Sequence, residues 1–94
     1  MYAVIFRARI NTFDEEYSDT AERLRQLAFS EYKCIDFISF TEGKDEVAIS
    51  WWHSLDDIRA WKNNADHKAA QEKGRAHWYE SVEVQIVEVL NRYQ

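Results

Sequence analysis

An α+β fold, a four-stranded antiparallel sheet with two helices on one face, is predicted by three features of this 94-residue chain. Stretches of period-two hydrophobicity alternate with stretches of helical periodicity, in the order β-α-β-β-α-β. With no Pro and two Gly, the connections are expected to be short and the elements regular. The 46% hydrophobic and 31% charged residues are evenly spread, which suits a folded domain and not a disordered segment.

The first strand is read over Tyr2 to Ile10, with Tyr2, Val4, Phe6, Ala8 and Ile10 on one face and Ala3, Ile5, Arg7 and Arg9 on the other. Thr12 and Glu15 have capping-box spacing, and Phe13, Tyr17, Ala21, Leu24 and Ala28 then recur as one side of an amphipathic helix. Tyr32 to Thr41 and Val47 to Trp52, joined by Glu42-Gly43-Lys44-Asp45, read as an antiparallel hairpin. Ser54 is a good N-cap for a helix through Leu55, Ile58 and Trp61. Asn63-Asn64 should break or bend it, and Asp66 can cap a continuation to about Tyr79. Val82, Val84 and Ile86, against Val87 and Val89, form the last strand. This order is the ferredoxin-like split motif, and one domain spanning residues 1–94 is expected.

The composition excludes several functions. Seventeen acidic against 12 basic residues give a net charge of −5, with no basic cluster, so nucleic-acid binding by bulk electrostatics is not expected. One Cys rules out an intrachain disulfide framework, and Cys34 reads as a small buried hydrophobe. His53, His67 and His77 lack metal-ligand spacing, and no Gly-rich phosphate loop is present. No apolar run reaches the ~20 residues of a membrane span. Met1 to Ile10 has no apolar signal core, so a cytoplasmic location is expected.

Several strands are apolar on both faces: Ile5 beside Phe6, Phe37 beside Ile38, Trp51 beside Trp52, Ile86 beside Val87. Two helices cover one face of a sheet, so the second face needs a cover of its own. A homodimer packed through that sheet face is the simplest answer.

The candidate site lies on the second helix. His67, Gln71, Gly74 and Trp78 fall at i, i+4, i+7 and i+11 and share one face. Turned toward the sheet, they would put two polar side chains into an apolar layer, which implies a pocket walled by Trp52, Trp61 and Trp78. The competing inward stripe is Ala69, Ala70, Lys73 and His77, with His67 and Gln71 in water, and spacing alone does not separate the two. Arg7, mid-strand, could bind an anion or pair with a strand carboxylate.

The run from Ser50 to Trp61 has the pattern W-x-S-x6-W, and His67 to Tyr79 reads H-x-x-A-Q-x-x-G-R-x-x-W-Y. Together, over about residues 50 to 90, they resemble the antibiotic biosynthesis monooxygenase family. The resemblance implies a dimeric α+β barrel and a pocket between helices and sheet in each subunit. It also implies a cofactor-independent oxidation of a phenol- or quinol-like aromatic, in which the substrate itself reduces dioxygen. On that basis His67 would be the general base and Gln71 a polar positioner, with Arg7, Trp52, Trp61, Gly74, Trp78 and Tyr79 binding the substrate. No cofactor is expected. A haem-degrading branch of the superfamily is the alternative enzyme, but Gln71 stands where its iron-ligating His should be, ten residues after Trp61. A binding module without chemistry is the other alternative.

Overall fold

The computed structural model describes residues 1–94 as β1 (Tyr2–Ile10), α1 (Glu15–Tyr32), β2 (Asp36–Glu42), β3 (Asp45–Trp52), α2 (Leu55–Lys62), α3 (Ala65–Lys73) and β4 (Tyr79–Glu88). A single π-helical turn, Gly74–Trp78, joins α3 to β4. The strands form one antiparallel sheet in the order β2-β3-β1-β4. The predicted second helix is two helices, broken at Asn63-Asn64 as expected, so three helices pack on the sheet and not two.

Several element ends differ from the sequence reading, each for a local reason. Asp14, not Thr12, caps α1, because its carboxylate accepts the Tyr17 N–H at 2.7 Å. Glu15 and Glu16 follow in the first turn, where the helix dipole favours negative charge. The helix continues through Tyr32 and ends at Lys33, whose φ of 64° is left-handed, and this delays β2 to Asp36. Asn64, not Asp66, caps α3, accepting from the N–H groups of Asp66 (2.8 Å) and His67 (3.3 Å). The π turn closes with the Tyr79 N–H on the Gly74 carbonyl, and Tyr79 is the first residue of β4, not the last of a helix.

Two apolar clusters lie between the helices and the sheet. Val4, Ala28, Cys34, Trp52, Ile58 and Trp61 form one. Ile10, Tyr17 and Trp78 form the other, toward the opposite end of β1. The sheet rows between them carry small side chains. On β2 and β3 these are Ser39 level with Ala48, and Ser50 two residues further along, with Phe6 and Val4 of β1 beside them. Small residues on the sheet floor with large aromatic residues at both ends leave a hollow.

The outer sheet face carries Ile5, Ile38, Phe40, Val47, Ile49 and Trp51, none of them fully buried. Phe40 is 69% exposed. No helix is long and apolar enough to cross a membrane.

Candidate functional site

The hollow is a cavity of about 410 Å³ between helices and sheet. That volume lies in the range of small-molecule sites. His67, Gln71, Trp61, Trp78 and Tyr79 line it, together with Val4, Phe6, Ala48 and Ser50 of the sheet. The inward stripe of α3 and the π turn is therefore the one containing His67, Gly74 and Trp78, all three buried, while Ala69 and His77 are exposed.

His67 is fixed from two sides. The Asn64 cap holds its backbone in the first turn of α3, and its ring meets Trp61 edge to face with centroids 4.3 Å apart. Trp61 is backed in turn by Trp52 at 5.1 Å and Phe37 at 6.3 Å. Burial, and then the charge of Lys62, push the imidazole pKa down to about 4. His67 is thus neutral at pH 7, with one ring nitrogen able to accept. Its Nδ1 is buried without a hydrogen-bond partner, and so are the indole Nε1 atoms of Trp61 and Trp78. Each unpartnered group costs about 1–3 kcal/mol, which a ligand with suitable oxygens would recover. His67 and Gln71 do not hydrogen-bond each other, so nothing within the chain satisfies the histidine.

At the other end of the cavity Tyr17 of α1 donates a hydrogen bond to the Glu46 carboxylate on β3. Tyr17 is buried among Trp78 (5.2 Å), Phe13 (5.6 Å) and Tyr79 (5.9 Å). Burial, more than the neighbouring Glu46, pushes the Tyr17 hydroxyl well above the usual phenol value. Burial also raises Glu46, partly offset by the Tyr17 hydrogen bond, and raises Tyr79. Sequence reading placed Tyr17 on the core side of its helix but missed its hydroxyl, and missed Glu46 altogether. The two are 29 residues apart, and only the β1–β3 register brings Glu46 level with Ala8 under α1.

Three residues expected to touch a ligand lie elsewhere. Arg7 is exposed on the outer face, level with Glu83 of β4, because strand alternation turns it away from Phe6 and Ala8. Trp52 is fully buried behind Trp61, with its N–H donating to Ser50 Oγ at 2.8 Å, so it supports the wall without lining the cavity. Gly74 does not line the cavity. A Cβ there would lie 2.5 Å from Tyr79 Cε2, so the glycine makes room for the Tyr79 ring. Gln71 lines the cavity, but an amide does not replace imidazole as an iron ligand, and no cluster of three His, Cys, Asp or Glu side chains suits a metal ion.

The Bacillus subtilis (strain 168) protein YqjZ is 37% identical over 90 residues, covering 94% of this chain and 78% of its own. No protein-family model matches the chain. Among solved structures, SnoaB, a cofactor-independent oxygenase from Streptomyces nogalater, superposes with a TM-score of 0.79 at 13% identity, over 97% of this chain and 94% of that one. A Nitrosomonas europaea protein assigned by name to the antibiotic biosynthesis monooxygenases gives 0.78 at 17% identity, over 97% and 100%. A similarly assigned Deinococcus radiodurans protein gives 0.72 at 9% identity, over 100% and 97%. At these identities the structural likeness is one of fold.

Proposed function

Because the chain belongs to the family of Bacillus subtilis YqjZ and has the fold of the antibiotic biosynthesis monooxygenases, we propose that its cavity is the site of a cofactor-independent monooxygenase acting on a phenol- or quinol-like aromatic. One observation carries this reading: His67, neutral and unpartnered, borders an aromatic-walled cavity together with two unpartnered indole N–H groups. A flat aromatic ligand suits those walls, and its oxygens are the partners that those groups lack.

The chemistry then needs little from the protein. For an anthrone-like substrate, the CH₂ opposite the central-ring carbonyl becomes a second C=O. One atom of dioxygen enters the product, and the other leaves as water with both hydrogens. The substrate supplies all the electrons. His67 takes the first proton, and the indole donors stabilise the anion that forms. A pKa near 4 makes His67 a weak base in the free protein, and the anion beside it raises its basicity as the proton moves.

Oxygen uptake with anthrone and with naphthalene-type quinols, corrected for autoxidation, is the test. Protein-dependent uptake is expected, and His67→Ala should lower kcat/KM by about 10² or more without changing the circular dichroism spectrum. A fully active His67→Ala would remove the histidine from the mechanism. A blank screen would overturn the enzyme and leave a binding module.

The outer sheet face belongs to the same proposal. A second copy packed there would cover Ile5, Phe40 and Trp51 in a homodimer. Light scattering at micromolar concentration should give the dimer mass, and a monomer would overturn it.

A further inference from the structure

The reaction proposed above leaves the Tyr17–Glu46 pair without a role. Glu46 lines the cavity, is half-buried, and has a single hydrogen-bond donor, the Tyr17 hydroxyl on Oε2. Its second oxygen has no partner, and no salt bridge reaches it. Its row on the sheet is flanked by Ala8 and Thr41, side chains short enough to leave that oxygen room. The cations that border the cavity, Lys62 and Arg25, belong to the opposite end. Lys62 acts on His67, and Arg25 lies over Phe37, 5.5 Å from its centroid, and donates to its carbonyl at 3.0 Å. Phe37 is level with Ser50, four residues further along β3 than Glu46. At a strand rise of ~3.3 Å per residue the two ends are separated by roughly 13 Å. The cavity therefore differs along its length: Lys62, Arg25, the imidazole and the Trp61 N–H lie toward one end, and Glu46 with the Trp78 N–H toward the other, while the other bordering carboxylate, Glu22, already accepts from the Gln26 amide at 3.2 Å.

We infer that Glu46 is a specificity-determining residue whose free carboxylate oxygen accepts a hydrogen bond from a ligand hydroxyl, so that the cavity selects aromatic diols with oxygens at opposite ends over monohydroxy aromatics. Tyr17 is the positioning residue, because it occupies the other oxygen and fixes the carboxylate plane. This inference rests on the reading of the cavity as an aromatic-binding site, and it specifies the substrate class of that site.

Isothermal titration with 2,6-dihydroxynaphthalene and 2-naphthol separates the two ideas. Wild-type protein should bind the diol about tenfold tighter, the scale of one hydrogen bond to a charged group. Glu46→Gln should cut the diol-to-naphthol affinity ratio severalfold toward one, because a neutral amide is a weaker partner for the hydroxyl than a carboxylate. Tyr17→Phe should reduce the same ratio partway, and it carries the test alone where Glu46→Gln fails to fold. Equal affinities for the two probes in the wild type would overturn the inference, as would a preference unmoved by either variant, while the aromatic site would stand. Failure of both probes to bind would overturn the aromatic site and this inference together.

Discussion

The two ends of the cavity are built from similar materials and do different work. At the α2–α3 end, Trp61 meets one histidine edge to face with Trp52 and Phe37 behind it, and the His67 Nδ1 and Trp61 Nε1 are left unpartnered. At the α1 end, Tyr17 packs against Trp78 and Tyr79 and its hydroxyl partners one carboxylate, while the Trp78 Nε1 is left unpartnered. Burial shifts both titratable groups toward their neutral forms, the imidazole down and the carboxyl up. Each end keeps one unpartnered indole N–H, and what distinguishes them is the titratable group: His67 has no partner within the chain, and Glu46 has one on a single oxygen.

The largest expected effect comes from removing the support of the histidine end. Trp52→Ala deletes a fully buried indole and the surface on which Trp61 rests. Chemical denaturation should show a loss of about 3–5 kcal/mol. A loss under 1 kcal/mol would mean that the end is not the packed core its burial indicates.

Next in size is the response to pH, which should have opposite signs at the two ends. Below its unfolded value of 6.5 the histidine of the unfolded chain takes a proton, while buried His67 stays neutral to about pH 4. The unfolded chain therefore binds more protons in that window. The His67 contribution is present above pH 6.5 and falls away toward pH 4, by on the order of 2–3 kcal/mol. Glu46 runs the other way. Its folded pKa is raised above 4.5, so its contribution is present below pH 4.5 and is lost as pH rises through the folded value. Thermal melts from pH 4 to 8 should be flattened on the acid side by His67→Gln. Glu46→Gln should remove the loss that accompanies rising pH. Identical profiles in wild type and both variants would erase the distinction.

Gly74→Ala tests the glutamate end through its packing. The added methyl meets the Tyr79 ring, which is also in edge contact with Phe6 at 5.4 Å and so has little freedom to yield. A loss of about 1–3 kcal/mol is expected by denaturant titration, with diol binding weakened. Arg7→Ala should do least. It lies outside both ends, and stability within about 0.5 kcal/mol of wild type and unchanged naphthol binding are expected. A large binding defect would show that the outer face communicates with the cavity.

Much of the architecture was legible because it depends on near neighbours in the chain. The period-two faces of β1 and β3 came through, with Val4, Phe6 and Ala48 beneath the helices and Ile5 and Ile49 on the other side. The helix break at Asn63-Asn64 and the stripe holding His67, Gln71, Gly74 and Trp78 were likewise visible. Cap identity was not, because Thr12 and Asp14, or Asn64 and Asp66, all carry oxygens that can accept, and the backbone entry into the helix selects one. Among the tryptophans, sequence could not tell a wall from its support. Trp61 and Trp52 are both buried aromatic residues, and only their stacking order puts one on the cavity.

By itself, the sequence determined the succession of strands and helices, because the alternation of apolar and polar side chains dictates which face of each element leaves water. It also put His67, Gln71, Gly74 and Trp78 on one helix face, and left open whether that face or the Ala69, Ala70, Lys73 and His77 face turns inward. The tertiary structure decided that a cavity exists at all. Ser39, Ala48 and Ser50 are unremarkable small residues along the chain, and they become a floor only when the strand register stacks them between two aromatic clusters. It likewise decided that Tyr17 meets Glu46, because a hydrogen bond between residues 29 positions apart is set by how α1 crosses the sheet and not by any local periodicity.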